Sequence, residues 1–104
     1  MIDQNYTFTA DGSLPETSLH QGRYSQLAIG ADGAVDFGGG TLDIKKETLT
    51  GGFHTIVSVD ATSYAALESK SIRLELPDAS NIQVTLTGST SPNLYVEHRI
   101  QSDN

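Results

Sequence analysis

Three histidines, His20, His54 and His98, are the groups of this chain best suited to acid–base work or metal ligation at neutral pH. They fall in three separate segments. No two have the i, i+2 or i, i+4 spacing that sets two ligands on one strand or helix face, so they are read as surface or rim side chains. His54 and His98 lie on segments that could meet across a sheet. A serine nucleophile needs a base and an orienting acid, and no Gly-x-Ser-x-Gly turn is present. Asp32, Asp36 and Asp43 gather around one expected hairpin, where carboxylates and turn carbonyls can hold calcium. Their spacing matches no EF-hand loop, which assigns Asp32 to a turn and points Asp36 and Asp43 outward. Gly38-Gly39-Gly40-Thr41 invites a phosphate-loop reading, but the chain continues as Leu42-Asp43-Ile44 and lacks the Lys-Ser or Lys-Thr that opens a helix. Lys45-Lys46, flanked by Asp43 and Glu47, reads as a solvated strand end. Asn5-Tyr6-Thr7 has the spacing of an N-glycosylation acceptor; with no leader expected before it, the match is read as chance. No nucleophile–base pair and no metal set is legible, so neither an enzyme nor a cofactor is expected.

Tyrosines offer a different chemistry. Tyr24, Tyr64 and Tyr95 could line a sugar-binding face, because aromatic rings stack on sugars. The default for such rings is packing at the edge of a core.

These side chains must be positioned by a chain of 104 residues, enough for one domain that buries roughly 65% of its unfolded surface. The absence of cysteine excludes disulfide frameworks, zinc knuckles and thiol catalysis. Six Lys and Arg against 13 Asp and Glu give a net charge of −7, which opposes binding to nucleic acid or to an anionic membrane surface. The longest apolar run is Tyr64-Ala65-Ala66-Leu67, far short of a membrane-spanning helix. Met1-Ile2-Asp3-Gln4-Asn5 has neither a basic nor an apolar leader region, so no secretory signal is expected.

Glycine, proline, serine and threonine punctuate the chain, and period-2 alternation lies between them, the mark of half-buried strands. Eight strands are expected around Tyr6-Phe8, Leu27-Ile29, Val35-Phe37, Leu42-Ile44, Phe53-Val59, Ile72-Leu76, Ile82-Leu86 and Leu94-Ile100. Ala31-Asp32-Gly33-Ala34 predicts a tight hairpin, since Asp-Gly supplies positive φ. Pro77 and Gly51-Gly52 separate other strands. Three consecutive glycines at 38–40 predict a bulge, a sharp corner or a close backbone approach. Only residues 62–70 have helical character, read as one short turn that Asp60 or Thr62 could cap. The expectation is an all-β antiparallel sandwich or small barrel of about eight short strands, a single domain over 1–104 with short polar arms at both termini.

The core expected from this pattern is Phe8, Leu27, Ile29, Val35, Phe37, Leu42, Ile44, Phe53, Val57, Val59, Ile72, Leu74, Leu76, Val84, Leu86, Leu94 and Val96. An open sandwich leaves edge strands whose amides and carbonyls need partners. Asp36, Asp43, Lys45, Glu97 and Arg99 are the visible charges that could guard them. Threonine- and valine-rich strands with polar arms suit a subunit that pairs with identical neighbours.

Three segments carry a resemblance: Phe37-Gly38-Gly39-Gly40-Thr41-Leu42-Asp43-Ile44, Ile72-Arg73-Leu74-Glu75-Leu76-Pro77-Asp78-Ala79, and Ile82-Gln83-Val84-Thr85-Leu86-Thr87-Gly88-Ser89-Thr90. Over roughly residues 22–99 this resembles small β-rich structural proteins of tailed bacteriophages, in which an aromatic-Gly-Gly-x-Thr strand start precedes an "elp" turn and a "V-x-L-x-G" strand. The chain departs from that pattern in lacking tryptophan and in its short loops. The resemblance implies a virion structural protein, a capsid decoration or cement subunit above all, assembled in the host cytoplasm. It implies the major capsid protein or other virion proteins as partners, and a homo-oligomer, a trimer first. On that reading Ile2, Tyr6 and Phe8 belong to an assembly arm, and residues 1–8 can be removed with the fold intact. The alternative is a tail or fibre module that recognises surface glycans through Tyr24, Tyr64 or Tyr95.

Overall fold

Strand alternation becomes two antiparallel sheets packed face to face in the computed structural model, which describes residues 2–19, 23–30, 35–67, 70–75 and 80–102. In chain order the strands are β1 (Ile2–Phe8), β2 (Gly12–Ser13), β3 (Thr17–Leu19), β4 (Arg23–Ile29) and β5 (Val35–Asp36). They continue with β6 (Thr41–Glu47), β7 (Phe53–Val59), α1 (Ala61–Ala66), β8 (Ser71–Leu74), β9 (Ser80–Thr87) and β10 (Asn93–Ser102). The first sheet has the order β1-β10-β4-β8, with β5 also on β10; the second has the order β2-β9-β6-β7, with β3 also on β9. This is the all-β sandwich that the alternation predicts.

Alternation decides which side chains meet between the sheets. On β4, Ser25, Leu27 and Ile29 are buried while Tyr24, Gln26 and Ala28 between them are half-buried on the outer face. Leu94, Val96, His98 and Ile100 of β10 face the same interior, as do Leu42 and Ile44 of β6 and Ile82, Val84 and Leu86 of β9. Each of the aliphatic side chains among them stabilises the fold by about 1.5–3 kcal/mol when fully buried.

The core differs from the expected set at its margins. Leu14, Leu19, Ile82 and Ile100 join it. Leu14 and Leu19 flank Pro15 on segments too short to show a period, and only tertiary pairing reveals them: the Leu14 amide donates to the Val84 carbonyl at 2.9 Å. Val35 is 42% exposed on its two-residue strand. Phe53, Val57, Ile72 and Leu74 are only half-buried because β7 and β8 close their sheets, with a strand neighbour on one side alone among the described residues. Leu76 lies outside the described residues.

Three connections shape the sandwich. The expected hairpin at 31–34 lies outside the described residues, but its flanking strands do not form one. β4 and β5 both run antiparallel to β10, hence parallel to each other, with Ile29 opposite Val96 and Val35 opposite Leu94. The Gly38–Gly40 corner is a close backbone approach. Gly38 and Gly39 have φ of 61° and 78°, the Thr90 amide donates to the Gly38 carbonyl at 2.9 Å, and a Cβ on Gly38 would stand 2.5 Å from the Thr90 oxygen. Helix α1 is one short element after β7. Asp60 caps it by accepting from the Ser63 amide at 2.9 Å, and Tyr64 and Leu67 pack against the core.

Candidate functional site

The three candidate tyrosines do not share a site. Tyr64 sits on α1, where its ring packs 5.8 Å from Phe37, its hydroxyl donates to the Ile29 carbonyl at 3.3 Å, and the Lys70 ammonium lies 4.9 Å from its ring centroid. Tyr24 and Tyr95 do share the outer face of the first sheet. Tyr24 pairs with Gln101, six residues from Tyr95 on β10, which sets their backbone positions about 20 Å apart along the strand. The Tyr24 ring is covered by the Arg73 guanidinium 3.7 Å above its centroid. A row of bare rings for stacking a sugar is therefore not formed.

What the same face does form is polar. Direct cross-strand partners point to one side of a sheet. Glu97 lies opposite Ala28 on β4 and Asn5 on β1, and Arg99 lies opposite Gln26. Two recesses flank this Glu97–Arg99 ridge, one of about 230 Å³ bordered by Asn5 and one of about 130 Å³ bordered by Gln26, Ala28 and Gln101. The Tyr95 hydroxyl donates to Glu97 Oε2 at 2.9 Å, and the Tyr24 hydroxyl donates to Gln101 Oε1 at 2.6 Å.

His98 is the largest departure from the sequence expectation. It is buried, not on a rim: only 2% of its surface is exposed. Its Nε2 lies 2.7 Å from Ser25 Oγ, and its Nδ1 lies 3.3 Å from Gln4 Oε1. With a proton on Nδ1 donated to Gln4, Nε2 accepts from the Ser25 hydroxyl, a tautomer assigned from the partners. Burial holds the imidazole down at about 4, so it stays neutral. A serine beside a histidine is a nucleophile–base arrangement in outline. Here Ser25 has no exposed surface, and the third partner is an amide in place of a carboxylate. The trio ties β1, β10 and β4 together inside the core. The signal was present in the sequence: His98 stands in the same alternation as Leu94, Val96 and Ile100. His54, in contrast, is exposed on β7 in the other sheet, so the two histidines do not meet. His20 lies outside the described residues.

Carboxylates hold turns and a neighbouring strand in place. Asp36 accepts from the Gly38 amide at 2.9 Å, Asp43 accepts from the Ser58 hydroxyl at 2.7 Å, and Asp11 accepts from the Gly88 and Ser89 amides at 3.1 and 2.9 Å and from the Ser89 hydroxyl. Asp32 lies outside the described residues. Among the described residues, no three His, Asp or Glu side chains stand close enough to hold a metal ion.

The arm expectation is corrected. Residues 2–8 pair along β10 from Ile2–Ile100 to Phe8–Leu94, and Phe8 is 1% exposed in the core. Tyr6 is 49% exposed and packs edge-on against Phe8 with centroids 4.9 Å apart. Of Ile2, the backbone pairing alone is described. At the other end β10 runs on to Ser102, so residues 101 and 102 are also strand. The segment is part of the sheet.

The sheet edges differ in protection. β8 is four residues long and carries Arg73, β1 carries an acidic residue at position 3, and β2 and β3 are interrupted by Pro15. β7 reads Phe-His-Thr-Ile-Val-Ser-Val, seven residues without a formal charge or a proline, and it closes its sheet with β6 as its only strand neighbour among the described residues. Its one irregularity is a bulge at Ile56, where pairing steps from Val57–Ile44 to Thr55–Lys45. Sequence reading named the charged guards and overlooked the strand that has none.

No protein-family model matches the chain, and no curated protein and no solved structure matches it.

Proposed function

We propose that this chain is a structural subunit of a tailed-bacteriophage virion, a capsid decoration or cement subunit, assembled on the particle in the host cytoplasm. The observation that carries the proposal is β7: a long, uncharged edge strand, with a strand neighbour on one side alone among the described residues, is a template for a strand of another chain. Its partners are the major capsid protein or other virion proteins, and identical copies of itself, with a trimer as the expected oligomer. The strand-and-turn pattern shared with small phage structural proteins supports the same reading. The mechanism is mechanical: interface area gained on the particle stabilises the assembled state by mass action.

The test is reconstitution. Purified phage heads that lack this chain are incubated with it and separated on a gradient, and bound protein is quantified. The wild-type chain is expected to saturate the heads. A His54→Glu/Thr55→Glu chain is expected to bind at least tenfold less, because introduced charge on an edge opposes strand addition. These substitutions face Lys46 and Lys45 across the β6–β7 pair, so they favour the fold while blocking the edge. Heads that take up neither chain, or both equally, would overturn the proposal.

A further inference from the structure

We infer that the outer face of the first sheet, around Glu97 and Arg99, is a binding groove for a neutral oligosaccharide that works by hydrogen bonding and not by ring stacking. The inference rests on a different sheet from β7 and stands apart from the assembly reading.

Glu97 is half-buried, and its Tyr95 contact occupies one carboxylate oxygen. Among the described residues it makes no ion pair, whereas Arg73 and Glu75 at the same i, i+2 spacing close to 2.6 Å. The space around Glu97 is instead the pair of adjoining recesses. Ala28, directly opposite Glu97, keeps the floor of the second recess low. Around that floor stand a carboxylate that only accepts and the amides of Gln26 and Gln101 that both donate and accept, with Arg99 between the two recesses and the Asn5 amide in the other one. The Tyr24 hydroxyl holds Gln101 by its oxygen, which leaves the amide N–H donors for a ligand.

Mixed donors and acceptors at close quarters match hydroxyl groups, each of which donates and accepts at once. A phosphate or sulfate group would meet the Glu97 carboxylate and the chain's net charge of −7. An apolar peptide would find no apolar floor beyond Ala28. The groups project from three adjacent strands spanning about 10 Å, so their spacing is fixed by the sheet and not by loops.

The chain is screened on an array of neutral and acidic oligosaccharides, and each hit is titrated by calorimetry. The expected result is saturable binding of a neutral oligosaccharide that falls tenfold or more in Ala28→Trp, which fills the floor, and in Glu97→Gln, which removes the charged acceptor. Leu49→Ser, in the turn of the opposite sheet, should bind as the wild type does. Thermal melts establish that each variant is folded, and Gln101→Ala replaces Ala28→Trp if the tryptophan disturbs the sheet. The inference is overturned by no neutral oligosaccharide binding, by binding confined to acidic ones, or by binding that survives substitution at both Glu97 and the recess floor.

Discussion

His98 gives the molecule a pH dependence that can be worked out in sign. Its ring takes a proton at about 4 in the folded chain, lowered by burial, and at the ordinary 6.5 once unfolded. Between those values the unfolded chain binds the extra proton, so stability is full above 6.5 and falls as pH drops toward 4, by about 3 kcal/mol in all. Asp11 and Asp60 are also held below their ordinary value, chiefly by Ser89 and Ser63 hydrogen bonds, so their contributions are lost below 3.8, under the histidine window. Denaturant midpoints from pH 4 to 7 should slope in the wild type and flatten in His98→Gln. A flat wild-type profile would mean that His98 is not buried neutral. The glycine corner allows a paired comparison. Gly39→Ala meets nothing within 4 Å and should cost about 1–2 kcal/mol for its positive φ alone. Gly38→Ala adds a clash with the Thr90 and Pro92 backbone and should cost about 2–5 kcal/mol, read from the same denaturant curves.

At the scale of elements, the alternating stretches were legible because one face of each strand is apolar and the other polar, as on β4, β9 and β10. What escaped was pairing. Two-residue strands such as β2 carry no period, and β5 joins β10 and not β4, a choice made by long-range contacts. β1 looked like an arm because Asp3, Gln4 and Asn5 are polar, yet every residue from Ile2 to Phe8 has a partner on β10. Deleting residues 1–8 should therefore unfold the chain. Losing Phe8 alone costs about 3–5 kcal/mol, out of a total stability of about 5–15 kcal/mol. Circular dichroism of the truncated chain checks this; a cooperative melt near that of the full chain would show that β1 is dispensable. For the candidate groove, sequence reading found Tyr24 and Tyr95 but missed Glu97, Gln26 and Ala28. These became neighbours only through the register of β4 and β10, two strands distant in sequence.

For the whole molecule, the net charge of −7 sets a general repulsion between copies, and β7 is the long edge that carries none of it. Salt screens that repulsion, so self-association through β7 should strengthen as ionic strength rises. Assembly through this edge is tested most directly by absolute mass from light scattering behind a sizing column, over a wide range of concentration and at low and high salt. The predicted result is a mass above 11.1 kDa that grows with concentration and salt toward about three chains, and a monomer at all concentrations for His54→Glu/Thr55→Glu. A wild-type chain that stays monomeric throughout, or an oligomer that the two substitutions leave intact, would contradict it.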